Sequence, residues 1–212
     1  LPTRGQSTAE HILSTYRADQ QFSPEEARLL DLCLVLHADH GGGNNSTFAC
    51  RVLSSTGTDT YSAIAAAIGS LKGPRHGGAN HKVMKMLDDM IAVLPENAND
   101  DDLRDYLRRV LRKEANDRSG LIYGMGHAVY TKSDPRAVIL RENAGELAKK
   151  NGFEREFSLL CAVERLAPQV FAEEKGGKEV CANVDLFSGF IYRMLGISPD
   201  LYTPLFAISR IP

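Results

Sequence analysis

The sequence predicts an all-α protein. Apolar residues recur at positions i, i+3, i+4, i+7 and i+8 over much of the 212-residue chain. Helix-start signals precede several of these stretches. Only residues 120–130 have the β-branched and aromatic content of a short strand or an extended loop. The clearest helical pattern follows Asp102 and contains Leu103, Tyr106, Leu107, Val110 and Leu111.

The predicted helices follow one another with few interruptions. The capping box Ser23-Pro24-Glu25-Glu26 starts one helix, with proline at its first position. On that helix Leu29, Leu32 and Leu36 repeat on one face. Glycine clusters at 41–43, 73–78 and 124–126 separate helices, and loops of this kind often contain functional residues. The other helices are expected over 46–54, 60–71, 79–93, from 102, and over 135–150, 154–171, 184–195 and 201–208.

Composition excludes several classes of function. The 25 basic and 27 acidic residues nearly balance, so neither nucleic acid nor an anionic membrane surface is expected as a partner. The four cysteines show no C-x-x-C spacing, and we expect reduced thiols and a cytoplasmic location. The longest apolar run, 63–71, is too short to span a bilayer.

One stretch, Gly124 to Arg136, combines several chemical groups. His127 follows two glycines, which let the backbone approach a ligand closely. Arg136 comes nine residues later, behind an Asp134-Pro135 helix start. A polarising imidazole and a carboxylate-binding guanidinium are thus predicted at the two ends of one short loop.

Two further regions place histidine or aspartate beside a break between helices. They are His40-Gly41-Gly42-Gly43-Asn44 with Gly73-Pro74-Arg75-His76-Gly77-Gly78-Ala79-Asn80, and Ala182-Asn183-Val184-Asp185-Leu186-Phe187-Ser188-Gly189. Taken singly, each residue has an ordinary structural alternative. A histidine there can cap a helix or lie in an exposed turn, and an aspartate at a helix start is stabilised by the helix dipole.

His37, Asp39 and His40 could suggest a metal site. Residues three apart share a helix face, so His37 and His40 could bind one ion. However, no third ligand lies at a motif distance and there is no H-E-x-x-H sequence. We therefore expect no metal, and set aside a metal hydrolase.

In order and spacing, the three motifs resemble those of the citrate synthase family, from about Pro24 to the end of the chain. The resemblance implies a helical enzyme that condenses an acyl-CoA thioester with oxaloacetate in a cleft between two domains. Residues 1–73 would be part of the large domain, 74–190 the small CoA-binding domain, and 191–212 a return to the large domain. Coenzyme A enters as a thioester substrate, no cofactor is held permanently, and a homodimer is expected.

The resemblance also implies roles for individual residues. Asp185 would be the base that removes a proton from the acetyl group, and His76 would donate to the thioester oxygen. His127 would polarise and protonate the oxaloacetate carbonyl. Other positions match oxaloacetate-binding residues (His40, Arg136, Arg210), residues along the CoA arm (Gly124, Gly126, Asn183, Lys132) and residues supporting His76 (Ser46, Asn44).

The chain departs from the family pattern in places. Ala182 stands where proline is common, and Thr131 where many relatives have arginine, with Lys132 beside it as a substitute. The chain begins at Leu1 and stops at Pro212 inside a predicted helical segment, so we expect both ends to be cut. A further oxaloacetate-binding arginine of the family would lie beyond that end.

The isolated chain is therefore expected to fold, to be catalytically weak or inactive, and to self-associate through apolar faces such as Leu29, Leu32 and Leu36. Two alternatives stay open. One is 2-methylcitrate synthase, which uses propionyl-CoA with the same catalytic set. The other is a non-catalytic helical dimerisation module.

Overall fold

The computed structural model describes residues 7–39, 42–73, 75–127, 129–177 and 179–211. Within these ranges there is no β-strand, which confirms the predicted all-α class. Residues 120–127 form a loop whose isolated antiparallel bridge joins Met125 to Ala182. The helices are α1 Thr8–Tyr16, α2 Pro24–Ala38, α3 Asn45–Ser54, α4 Thr60–Leu71, α5 Ala79–Val93, α6 Asp100–Leu111, α7 Pro135–Lys150, α8 Glu154–Lys175, α9 Asp185–Met194 and α10 Tyr202–Arg210, with a 3-10 turn at Pro199–Leu201.

The helix boundaries follow local capping chemistry. The predicted capping box is present at α2, where Ser23 and Glu26 exchange hydrogen bonds. Helix α6 begins two residues earlier than predicted, because Asn99 accepts hydrogen bonds from the first-turn N–H groups. Helix α8 contains Pro168 and extends past its predicted end at Phe171, to Lys175. Helix α1 has a short apolar pattern, with only Ala9 and Leu13 buried.

The first of two compact units comprises residues up to 78 together with those from 191 onward. In this unit α2 packs against α1 and α10, and α3 packs against α4. Its core includes Leu13, Leu30, Cys33, Tyr192 and Tyr202.

The apolar face of α2 that was expected to lack part of its cover is partly covered. Leu29 is buried, whereas Leu32 and Leu36 are half-buried, and both α1 and α10 pack against α2. On α3 and α4 the apolar side chains Phe48, Val52, Tyr61 and Ile68 are exposed, and on α2 Val35 is exposed as well.

The second unit comprises residues 79–190, and helices α5, α6 and α7 each pack against α8. Surface ion pairs connect α6 to α8, among them Arg108 with Glu173 and Arg112 with Glu174. Assignment of the two units as large and small domains stays a prediction. The core of the second unit includes Val83, Met86, Tyr106, Leu140 and Leu160.

In the described ranges, no helix is long and apolar enough to cross a membrane.

Candidate active site

His76 lies in the first unit, in the turn between α4 and α5. Its Nε2 atom accepts a hydrogen bond from the backbone N–H of Ser46, at 3.1 Å. Ser46 is in the first turn of α3, where N–H groups have no partner inside the helix. A backbone N–H cannot reverse its direction, so Nε2 bears no proton and the neutral ring carries its proton on Nδ1.

The Ser46 hydroxyl connects the Nε2 atom to a second side chain, that of Asn44. The Ser46 hydroxyl lies 3.0 Å from Nε2 and 2.7 Å from Oδ1 of Asn44. Asn44 is the N-cap of α3, and its Oδ1 also accepts from the Thr47 N–H at 2.8 Å. The hydroxyl therefore has one proton and two acceptors within reach. Both residues predicted to support His76 lie in this hydrogen-bonded group.

The environment of His76 favours its neutral form. Burial lowers the pKa of the imidazole, and the positive charge of Arg210 lowers it further. Arg210 ends α10, where its Nε donates to the carbonyl oxygen of His37 at 2.6 Å. Its guanidinium carbon lies 3.8 Å from the centre of the Phe206 ring. The structure thus brings two predicted residues, His76 and Arg210, into electrostatic contact within one unit.

The predicted absence of a metal site was argued from His37 and His40. His37 is fully buried and packs against Phe206, with ring centres 4.9 Å apart. His40, also predicted to bind oxaloacetate, lies outside the described residues. Within the described ranges, no group of three or more His, Cys, Asp or Glu side chains could hold a metal ion.

His127 lies in the second unit and is held by its own loop. Its Nδ1 accepts from the backbone N–H groups of Val129, at 3.0 Å, and Tyr130, at 3.2 Å. Two backbone N–H groups face Nδ1, so the proton of the neutral ring is assigned to Nε2. That atom lies 3.2 Å from Nη2 of Arg136, which can also only donate, so in this tautomer the two groups do not bond each other. Two donors that face the same space can both bond an acceptor placed there, such as a carbonyl or carboxylate oxygen.

Arg136 is fixed by a contact that the sequence analysis did not anticipate. Asp134 caps α7 as predicted, and its carboxylate also pairs with the Arg136 side chain. The Nε–Oδ1 distance is 3.0 Å and the Nη2–Oδ2 distance is 2.8 Å. The side chains are only 4% and 0% exposed. The i, i+2 spacing across the helix start was the available signal, because it places a carboxylate beside the guanidinium.

The loop of His127 is hydrogen-bonded to the segment that precedes α9. Gly126 N donates to Cys181 O at 2.7 Å, and Asn183 N donates to Gly124 O at 2.8 Å. The Asn183 side chain joins the same contact, since its Nδ2 donates to Gly126 O at 2.8 Å. Its Oδ1 accepts from the backbone N–H of Asp185 at 3.0 Å. Asn183 therefore ties His127's loop to Asp185, a contact between motifs that the sequence did not predict.

Asp185 is the first residue of α9, where the helix dipole stabilises a negative charge. Gly124 packs directly against this first turn. A Cβ on Gly124 would lie 2.8 Å from Cδ1 and 2.9 Å from Cα of Leu186, and its φ is +81°. Glycine is therefore required at this approach. Lys132, predicted to lie along the CoA arm, is exposed in the segment that precedes α7.

Comparison with known proteins gives a consistent result. Residues 1–212 match the family model described as citrate synthase, C-terminal domain. The citrate synthase of Deinococcus radiodurans is 43% identical over 189 residues, covering 89% of this chain and 46% of the relative. That of Synechocystis is 40% identical over 193 residues, covering 91% and 44%. The chain thus spans about half the length of these curated relatives.

Solved structures agree with the sequence matches. Citrate synthase from Thermotoga maritima is 30% identical with a TM-score of 0.78, covering 100% of this chain and 52% of the other. A ternary complex of citrate synthase from Thermoplasma acidophilum with carboxymethyl coenzyme A and oxaloacetate is 29% identical, with a TM-score of 0.81 and the same coverage. The chain belongs to the citrate synthase family.

Proposed function

We propose that the protein acts as a citrate synthase, which condenses acetyl-CoA with oxaloacetate and hydrolyses the product to citrate and CoA. Family membership supports this activity. The observation that carries the mechanism is that two imidazoles, His76 and His127, each have one ring nitrogen committed to backbone N–H groups. Each neutral ring can therefore donate a hydrogen bond from its other nitrogen.

The first step is removal of a proton from the acetyl group. A thioester α-proton is very weakly acidic, so a carboxylate removes it only if the developing oxyanion is stabilised at the same time. In this proposal Asp185 is the base, and the Nδ1–H of His76 donates to the thioester oxygen. A neutral donor suits this step, since the lowered pKa of His76 keeps the ring uncharged near neutral pH.

The second step is attack of the resulting enol or enolate on the oxaloacetate ketone. In this proposal the Nε2–H of His127 donates to the ketone oxygen and then protonates the alkoxide that forms. The ring is left as an anion, which the Arg136 guanidinium and the two backbone N–H groups at Nδ1 stabilise until it regains a proton. Arg136 lies 3.2 Å from that nitrogen and binds an oxygen of the same substrate. His40 and Arg210 bind further oxaloacetate oxygens. Guanidinium groups suit a dicarboxylate because their fork fixes both its orientation and its charge.

Coenzyme A would meet the second unit. Gly124, Gly126 and Asn183 form the hydrogen-bonded loop pair next to Asp185, and Lys132 supplies a positive charge for a phosphate. Space around the missing side chain of Gly126 is open, with a φ of +88°, so a ligand can approach its backbone. Coenzyme A is thus a substrate, with no permanently held cofactor.

A homodimer in the cytoplasm completes the proposal. No residue of α3 is buried, and Phe48 on α3 and Tyr61 at the start of α4 are 68% and 88% exposed. Large apolar side chains that are exposed together indicate a protein interface. A second copy of the chain covering α3 and α4 would bury them. Sedimentation that shows a compact monomer at micromolar concentration would contradict this part of the proposal.

The test of the activity is a steady-state assay that measures CoA release from acetyl-CoA with and without oxaloacetate. We expect release that depends on oxaloacetate and falls in Asp185→Asn but not in the surface control Asp31→Asn. Release without oxaloacetate, or equal release by both variants, would contradict the proposal. Faster turnover with propionyl-CoA than with acetyl-CoA would favour 2-methylcitrate synthase instead.

A further inference from the structure

Tyr16, the last residue of α1, and Arg17, its C-cap, bind the turn between α9 and α10. The Tyr16 hydroxyl donates to Gly196 O at 3.3 Å and accepts from Ser198 N at 2.9 Å. Arg17 Nη2 donates to Leu195 O at 2.8 Å. These backbone groups follow the last turn of α9, where carbonyls lack partners inside a helix. We call this set of contacts the Tyr16–Arg17 clasp.

The same guanidinium also holds the start of α2. Arg17 Nη2 lies 2.6 Å from Oε1 of Glu26, and its Nη1 lies 3.1 Å from Oε2. Glu26 belongs to the capping box of α2, where it accepts from Ser23 N. Hydrogen bonds from Arg17 lower the pKa of Glu26, so the pair stays charged near neutral pH. One side chain therefore joins the first turn of α2 to the turn that precedes α10.

Arg210 lies at the other end of these two helices. Its Nε bonds the carbonyl of His37 in the last turn of α2, and its guanidinium rests on Phe206 of α10. Helices α2 and α10 pack against each other. His37 follows Glu26 by eleven positions, and eleven helical steps span about 16 Å. The position of the guanidinium therefore depends on the register between α2 and α10.

We propose that Tyr16 and Arg17 are positioning residues for Arg210, because the clasp sets the register of the two helices that hold its guanidinium. The proposal rests on the function proposed above where it concerns oxaloacetate binding. A displacement of about 1 Å at a substrate-positioning group is enough to lower the rate of an enzyme about 100-fold. Loss of the clasp weakens the binding of the dicarboxylate, while the acyl-CoA thioester binds as before.

The first experiment compares Arg17→Gln with Arg28→Gln in the same helical unit. Arg28 is exposed on α2, so its variant removes the same charge without touching the clasp. We expect Arg17→Gln to raise the KM for oxaloacetate about ten-fold, with the KM for acetyl-CoA unchanged. The same KM for oxaloacetate in both variants would overturn the proposal.

The second experiment needs no substrate, so it separates this proposal from the proposed activity. Because the charge of Arg210 lowers the pKa of His76, a displaced guanidinium raises that pKa. NMR titration of the His76 ring should show a higher pKa in Arg17→Gln than in Arg28→Gln. Tyr16→Phe removes only the hydroxyl, and should give a smaller rise in a variant that still folds. The proposal would be overturned if Tyr16→Phe gave the same His76 titration curve as the unmodified protein while Arg17→Gln was unfolded. It would also be overturned if both variants gave that curve.

Discussion

The two units hold their histidines in different ways. In the first unit, the acceptor nitrogen of His76 is Nε2, and its donor is a helix N-terminus thirty residues earlier in the chain. In the second unit, the acceptor nitrogen of His127 is Nδ1, and both donors are two or three residues away in its own loop. A neutral ring would therefore carry its proton on opposite nitrogens in the two units. His76 therefore depends on the packing of α3, whereas His127 depends on the backbone of one loop.

Of all the variants, Asp185→Asn in the second unit is expected to lower turnover most, because Asp185 is the proposed base and not a binding residue. Asp185→Asn should lower kcat about 100- to 10,000-fold, since a general base acts in the transition state. Oxaloacetate affinity, measured by calorimetry, should change little. Asp31→Asn is the matched control because Asp31 is an exposed carboxylate on α2. Near-normal turnover in Asp185→Asn would remove this residue as the base.

Arg136 in the second unit and Arg210 in the first should differ in how much each contributes to stability. Arg136→Ala leaves the buried carboxylate of Asp134 without its guanidinium, and such a loss costs about 3–5 kcal/mol in unfolding free energy. Arg210→Ala should cost less, because its Nε bonds a neutral carbonyl. Chemical denaturation measures both values, and calorimetry should show that both variants bind oxaloacetate more weakly. Equal stability of Arg136→Ala and Arg210→Ala would contradict the account of the buried pair.

The pH dependence tests the environment of His76. Its pKa in the folded protein is lower than the ordinary 6.5, so the unfolded chain takes up a proton first as the pH falls. The contribution of the neutral ring to stability is thus present above pH 6.5 and is lost as the pH falls through that value towards the lowered pKa. Turnover that requires neutral His76 should persist below pH 6.5. A His76 titration midpoint above 6.5 would contradict the assignment.

Ser46→Ala should have a smaller effect on the first unit. The variant removes the hydroxyl but keeps the backbone N–H that fixes the His76 ring. We expect kcat to fall less than about ten-fold, in line with the loss of one neutral hydrogen bond. Ser54→Ala, at the exposed end of the same helix, is the control. A loss as large as that of Asp185→Asn would show that the hydroxyl, and not the N–H, holds the ring.

The smallest effect is expected at the surface of the second unit. Arg112 and Glu174 form an ion pair 2.7 Å long in which the arginine side chain is 55% exposed. Such pairs contribute little because water and salt screen them. Arg112→Gln should leave the melting midpoint almost unchanged, and high salt should remove any remaining difference. A clear loss of stability in Arg112→Gln would contradict the claim that water and salt screen this pair.

Much of the fold was predictable because its signals are local. Helical periodicity and capping residues gave the class and most of the helices, as at Ser23 and Pro24. The full burial of Leu29, next to the half-burial of Leu32 and Leu36, was not predictable, since it depends on tertiary packing rather than on the pattern of α2.

Some features of the candidate site were likewise predictable from local sequence signals, and others were not. Motif letters were enough to select His76, His127 and Asp185, whose roles stay predictions. Sequence alone could not reveal which ring nitrogen carries the proton, because that depends on backbone N–H directions at Ser46 and Tyr130. Long-range contacts, such as Asn183 with Gly126, were equally inaccessible to motif spacing.

The most direct test of the central claim is the ¹⁵N NMR spectrum of the two imidazoles near neutral pH, assigned with His76→Gln and His127→Gln. The account predicts two neutral rings of opposite tautomer, with the proton of His76 on Nδ1 and that of His127 on Nε2. A positively charged ring at either position, or the same tautomer at both, would contradict it.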